Sequence, residues 1–276
     1  MKLSIVLSTH AANFEAVAFK GDFEGNIERI AGWGYEGVEL AIRDPRLVDV
    51  SELERVVTSH GLQVPAIGTG QAWGEEGLSL TSNDPSVRAA AVERIKSHIP
   101  LAKRFRAIII LGLIRGITPA GQTHEQSMCY LVESLQECAQ AACPAGVRFA
   151  LEPLNRYETD LIHTVADGMD LIHKTGAGNL GLLLDTFHMN IEEPHIEDSI
   201  RLCGERIFHF HVADSNRWHP GAGHLDFTSI LDVLIATGYD GYVSGEFLPR
   251  PDANTSAKNN IDHLRHILRA SDVQNN

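Results

Sequence analysis

Four apolar runs in this sequence end in a side chain able to hold a cation. Phe149-Ala150-Leu151 leads into Glu152, Leu182-Leu183-Leu184 into Asp185, Phe208-His209-Phe210 into His211, and Val243-Ser244-Gly245 into Glu246. Three carboxylates gathered at one buried point raise one another's pKa, because like charges at short range disfavour ionisation. A divalent cation removes that conflict, and oxygen-rich ligation with one imidazole suits Mn²⁺ or Mg²⁺ better than Zn²⁺. A single acid at such a position is explained as well by capping the next helix or by pairing with an arginine. Four in successive segments are not. Polar side chains follow closely: Asn155, Arg156 and Glu158 after Glu152, His188 and Asn190 after Asp185, and Asp214, Asn216 and Arg217 after His211. Loops placed on a rigid scaffold commonly carry contacts, so these residues are candidates for one polar face of a pocket. His209 is expected to turn its ring away from His211 and to pack rather than ligate.

The elements that must position these side chains alternate along the chain. Strands are predicted at Leu3–Ser8, Gly37–Ala41, Val64–Gly68, Ala107–Gly112, Val147–Glu152, Leu180–Asp185, Ile207–Val212 and Tyr242–Phe247. Runs such as Ala107-Ile108-Ile109-Ile110-Leu111 lack polar alternation, as strands covered on both faces require. Helices are predicted near 23–33, 51–60, 84–104, 123–143, 164–175, 195–204, 227–237 and 256–270. Asp84-Pro85 is a helix start, and Thr175-Gly176 and Thr237-Gly238 are helix ends. Eight βα units predict an α/β fold, a single (β/α)8 barrel over residues 1–276 with a frayed polar tail at 271–276. A doubly wound open sheet would carry a Gly-rich fingerprint after its first strand, and Ser8-Thr9-His10-Ala11-Ala12-Asn13 is not one. In such barrels the active site lies at the C-terminal ends of the strands, where the four candidate ligands fall.

Composition narrows the partners. Thirty-six acidic against 23 basic residues give a formal charge of −13, which offers no general attraction to nucleic-acid phosphates or anionic membranes. No apolar run reaches membrane-spanning length, and Met1–Ser8 reads as a buried strand rather than a leader. A cytoplasmic protein with no nucleic-acid or membrane partner is expected. Cys129, Cys138, Cys143 and Cys203 form no CxxC pair and read as reduced thiols.

Three stretches carry a resemblance: Ala150-Leu151-Glu152-Pro153-Leu154-Asn155-Arg156-Tyr157-Glu158, Leu184-Asp185-Thr186-Phe187-His188-Met189-Asn190, and His209-Phe210-His211 through Ser215-Asn216-Arg217. With Pro220–Phe227 and the Gly245-Glu246-Phe247 triplet, they resemble the ketose 3-epimerases, the D-tagatose, D-psicose and L-ribulose 3-epimerase group of xylose-isomerase-like barrels. The resemblance implies one divalent cation per subunit, Mn²⁺ foremost with Mg²⁺ or Co²⁺ as alternatives, on Glu152, Asp185, His211 and Glu246. It implies that Glu158, His188 and Arg217 hold the carbonyl end of a sugar. Glu152 and Glu246 would be the catalytic pair: one removes the C3 proton to give a cis-enediolate, and the other returns a proton from the opposite face. A homodimer or homotetramer is also implied.

The far end of the sugar pocket departs from the better-known members, with Gly68 among its expected lining residues. Arg43 and Arg115 fall at predicted strand mouths. Salt bridges on the barrel rim explain them, but an arginine there could also receive a substrate carboxylate, making the substrate a keto acid of the 5-keto-gluconate type. Hydroxypyruvate isomerase and inosose dehydratase share the cage and are separated only by the family match. An endonuclease IV-like repair enzyme would need several zinc ions, a His-rich mouth and a basic surface. A passive sugar binder has no use for paired carboxylates astride one carbon.

Overall fold

Ile108-Ile109-Ile110-Leu111 can be apolar throughout because both of its faces are covered. Ile109 and Leu111 join the large cluster packed beneath the helices, while Ile108 and Ile110 join a small cluster with Ala66, Ala150 and Leu183. Successive side chains on a strand point to opposite faces, so this second cluster is the interior of the barrel. The computed structural model describes residues 1–274. Its strands are β1 (Lys2–Ser8), β2 (Phe19–Lys20), β3 (Gly37–Ala41), β4 (Ala66–Gly68), β5 (Ile108–Leu111), β6 (Phe149–Leu151), β7 (Leu180–Asp185), β8 (Ile207–Val212) and β9 (Tyr242–Gly245). β1 and β3–β9 pair in parallel in chain order, and β1 pairs with β9 to close an eight-stranded barrel. β2 adds to β1 at its mouth end, Leu7 opposite Phe19.

The helices are α1 (Phe23–Gly32), α2 (Val50–Ser59), α3 (Gln71–Glu76), α4 (Pro85–Phe105), α5 (His124–Ala142), α6 (Val165–Thr175), α7 (Thr186–Glu192), α8 (Ile196–Cys203), α9 (Phe227–Ala236) and α10 (Ala253–Gln274). The Asp84-Pro85 start signal acts as expected, Asp84 capping α4 ahead of Pro85; the structure adds capping boxes of Thr123 with Gln126 and of Thr164 with Asp167. Two of these helices lie in stretches without a predicted element, α3 after β4 and α7 directly after β7. Each spans two turns or less, too short to show an apolar period. The last helix also runs past its predicted end, so residues 271–274 of the expected tail are helical. Residues 275–276 lie outside the described residues. Among the described residues no helix is long and apolar enough to cross a membrane.

β7 carries the candidate ligand Asp185, and its start is tightly packed. A Cβ on Gly181 would lie 2.7 Å from the backbone oxygen of Arg206 and would press on the Phe208 ring. Gly181→Ala is therefore expected to destabilise the barrel by about 1–3 kcal/mol, the usual range for overpacking. Thermal unfolding measures this, and an unchanged Tm would mean that β8 yields freely at this point.

Candidate active site

The two-residue strand period carries the interior face up to the barrel mouth. Ala150 points inward, so Glu152 does; Leu183 points inward, so Asp185 does. Phe210 and Val243 pack outward in the large cluster, which turns His211 and Ser244 inward and, two residues on, Glu246. The same rule on the other half of the ring brings Ala41, Gly68 and Gly112 to the mouth, and all three line a cleft of about 240 Å³. These three strand ends thus carry a methyl group or none, with Phe14, Gln71, Trp73 and Leu113 lining the cleft from the loops beyond, while the other half carries the cluster of acids and imidazoles. At Gly112 a Cβ would come within 2.8 Å of Glu152 Oε2.

On the polar half, His211 Nδ1 lies 4.0 Å from Glu152 Oε1, 3.9 Å from Asp185 Oδ2 and 3.7 Å from Glu246 Oε2. One donor atom from each of the four residues falls within 4.8 Å of all the others. These separations are too long for hydrogen bonds and suit ligands sharing one ion at roughly 2.1 Å from each. Glu152 Oε1 and His211 Nδ1 are buried and have no hydrogen-bond partner among the described residues. A buried polar atom without a partner is costly, so the donor set fits a divalent cation. Asp185 does two things at once. Its Oδ1 accepts from Phe187 N at 2.7 Å, capping α7, while Oδ2 faces the cage.

The electrostatics register the crowding. Burial, then repulsion from Glu246, holds the Glu152 carboxyl well above the usual range, with His211 opposing. Burial likewise pushes Asp185 up to about 6, with His211 opposing and Glu246 adding. Burial works against a charged His211, yet the carboxylates of Glu39 and Glu246 outweigh it and raise its proton affinity.

Glu158, His188 and Arg217 are brought to the same cleft. Arg217 Nη1 donates to Glu158 Oε1 at 2.6 Å, and its guanidinium lies over the rings of Phe187 and Phe14. Its backbone is left-handed at φ 61°, held by Arg217 N to Asp214 O at 2.7 Å and Leu248 N to Arg217 O at 2.8 Å. His188 projects from α7 with Nε2 3.8 Å from Glu152 Oε1. Its Nδ1 accepts from the Asn155 side-chain amide at 2.7 Å and from Asn155 N at 3.3 Å. The ring proton therefore sits on Nε2, facing the cleft. Burial first, then the charges of Arg217, Arg115 and His211, keeps this imidazole neutral.

Two expectations are corrected here, those for Arg115 and His209, while Arg43 follows the salt-bridge reading. Arg115 does not line the cleft: its guanidinium is fully buried on the backbone oxygens of Glu152, Leu161 and Ile162. Its sequence position marked the strand mouth, but which way the side chain turns depends on the β6 loop folding over it. Arg43 is held by Glu75 and Glu76 of α3, the salt-bridged alternative. His209 does not turn away from His211, since residues two apart on a strand share a face. Both rings reach Glu39, with His209 Nε2 at 2.7 Å and His211 Nε2 at 2.9 Å from the same carboxylate oxygen. Glu39 itself was missed. Its signal was a lone acid inside the apolar run Val38-Glu39-Leu40, where burial of a charge demands a partner.

Comparison with known proteins agrees with this geometry. Residues 27–267 match the Xylose isomerase-like TIM barrel family. The chain is 32% identical to an L-ribulose 3-epimerase of Mesorhizobium japonicum over 92% of its own length and 86% of the relative's. It is 31% identical to a D-psicose 3-epimerase of Ruminiclostridium cellulolyticum, over 92% of this chain and 87% of that one. Among solved structures, a D-psicose 3-epimerase from Clostridium cellulolyticum crystallised with D-tagatose superposes with a TM-score of 0.83 at 26% identity, covering 97% of this chain and 99% of the other.

The raised pKa of Asp185 has a consequence for the cation-free chain. As pH rises, the unfolded carboxyl, near 3.9, gives up its proton before the folded one at about 6. Stability contributed by this group therefore falls between about pH 4 and about pH 6, and the deficit is complete above that. Asp185→Asn retains a helix cap and is expected to raise the cation-free Tm by a few degrees at pH 8 but not at pH 4. An equal effect at both pH values would show that charge is not what the substitution relieves.

Proposed function

Since the chain belongs to the xylose isomerase-like TIM barrels, and within them to the ketose 3-epimerase group, we propose that it is a cation-dependent ketose 3-epimerase inverting C3 of a free ketose such as L-ribulose, D-psicose or D-tagatose. The observation that carries this reading is the pair Glu152 and Glu246, which reach one cage from strands β6 and β9 beside a half-ring of Ala41, Gly68 and Gly112. Inverting a carbon by proton transfer needs two groups that exchange protons with its opposite faces, and a cage with one carboxylate base would not suffice. The small side chains leave room for a sugar there.

Within that reading, Glu152, Asp185, His211 and Glu246 hold the cation, and its positive charge makes the proton beside the sugar carbonyl more acidic. One of the two glutamates takes the C3 proton and the other returns one to the opposite face. Which acts first depends on the epimer supplied. The neutral His188 offers Nε2–H as a hydrogen-bond donor to oxygen charge that builds during proton removal, as a fixed dipole does with little reorganisation. Arg217, anchored on Glu158 and between two aromatic rings, adds a positive charge on the same side, and its Nη2 has no partner among the described residues. The keto-acid alternative loses its support, because Arg115 is spent on backbone oxygens and Arg43 on Glu75 and Glu76.

Chelation is expected to abolish turnover, and Mn²⁺ to restore it. Glu152→Gln and Glu246→Gln should each lower C3 epimerisation at least about 10³-fold with the circular dichroism unchanged. For a given epimer, one of the two variants should still exchange the C3 hydrogen with solvent deuterium without inverting the carbon. Substantial inversion by either variant sinks the two-base mechanism. In a substrate screen read by NMR, L-ribulose, D-psicose or D-tagatose should react in preference to 5-keto-gluconate; the opposite order would restore the keto-acid reading.

A further inference from the structure

Directly below the cage the barrel interior holds a second polar group. Glu39 on β3 points inward between Val38 and Leu40, which both pack outward. It is 2% exposed, and one of its oxygens receives both His209 Nε2 and His211 Nε2. Imidazoles that contact a carboxylate oxygen at 2.7 and 2.9 Å must donate a proton to it, so both rings carry hydrogen on Nε2. For His211 this leaves Nδ1 toward Glu152, Asp185 and Glu246, where it has no hydrogen-bond partner among the described residues. For His209 it fixes the ring edge-on to His211, with centroids 5.2 Å apart and planes at 77°. An apolar side chain at position 39 would fill the space without the cost of burying a charge, so stability alone does not account for this arrangement.

We propose that Glu39 and His209 are positioning residues, which hold the His211 ring in the orientation and tautomer that present Nδ1 to the cage and thereby set how tightly the cation is held. The physical reason is general. A ligating imidazole whose second nitrogen donates to a carboxylate is fixed in tautomer and orientation and is more basic, and loss of that outer partner commonly costs 10–100-fold in affinity. His209 acts one step further out, by holding the Glu39 carboxylate on the β8 side of the barrel. This inference rests on the reading of the cage given above.

The test is the affinity of the full chain for Mn²⁺, read by electron paramagnetic resonance of the free ion with no sugar present. Glu39→Gln keeps an oxygen acceptor but loses the charge, and is expected to weaken Mn²⁺ binding about 10-fold. Glu39→Leu removes the acceptor and should weaken it about 100-fold. His209→Phe should have a smaller effect than Glu39→Leu. The cation-free Tm of Glu39→Gln should stay within a few degrees of the parent's, and its kcat should recover at saturating Mn²⁺. Parent and both Glu39 variants binding Mn²⁺ within twofold of one another would overturn the inference and leave the cage reading intact. Weaker binding in Glu39→Gln accompanied by loss of the folded cation-free state would mark Glu39 as structural and also overturn it. A parent that binds no Mn²⁺ at all would overturn both the inference and the cage.

Discussion

Glu152, Asp185 and Glu246 converge on one imidazole at the mouth of the barrel, and their mutual repulsion is the constraint around which the site is arranged. Burial raises the pKa of the first two, and each faces a like charge. Without a counter-charge such a cluster is met by protonation or by loosening. The barrel can hold it because the side chains come from four adjacent parallel strands whose backbones are fixed by their ladders. The positions are set before the electrostatics are satisfied, and a divalent cation held there would satisfy them.

The contacts beside the cage fasten that half of the mouth together. Thr186 Oγ1 donates to Ala213 O at 2.6 Å and ties the end of β7 to that of β8. Arg156 reaches across to Glu192 at the end of α7, so the loop carrying Asn155 and Glu158 is fastened to the helix carrying His188. Asn155 then sets the His188 tautomer, and Asp214 organises the loop that holds Arg217 by accepting from Ser215, Gly221 and Leu225. The open half has its own fastenings farther from the cage, with Arg43 and Arg94 on Glu76 and Gln71 donating to Ser8. Its essential feature is the lack of side chains at Gly68 and Gly112, and Arg115 passes beneath the loops without entering the cleft.

Much of this was legible in the sequence, for identifiable reasons. The barrel followed from eight short apolar runs alternating with helical stretches, because a strand covered on both faces has no alternative to continuous hydrophobicity. The four cage residues followed because each ends such a run, and strand ends share one rim in this architecture. Glu158, His188 and Arg217 came from the family resemblance, and the cleft gathers all three. Helices α3 and α7 were not legible, being too short to show a period.

What the tertiary structure alone decided was direction and partnership. Arg115 and Arg43 look alike in the sequence, but one turns under a loop to backbone oxygens and the other meets two glutamates on α3. Glu39 lies 172 positions from His211, so no local pattern could join them. Sequence spacing assigns residues to strand ends and, through the two-residue period, to a face. Which buried charge answers which is settled only when the closed barrel brings β3 and β8 across its interior from each other, because hydrogen bonds act over ångströms and not over positions in the chain.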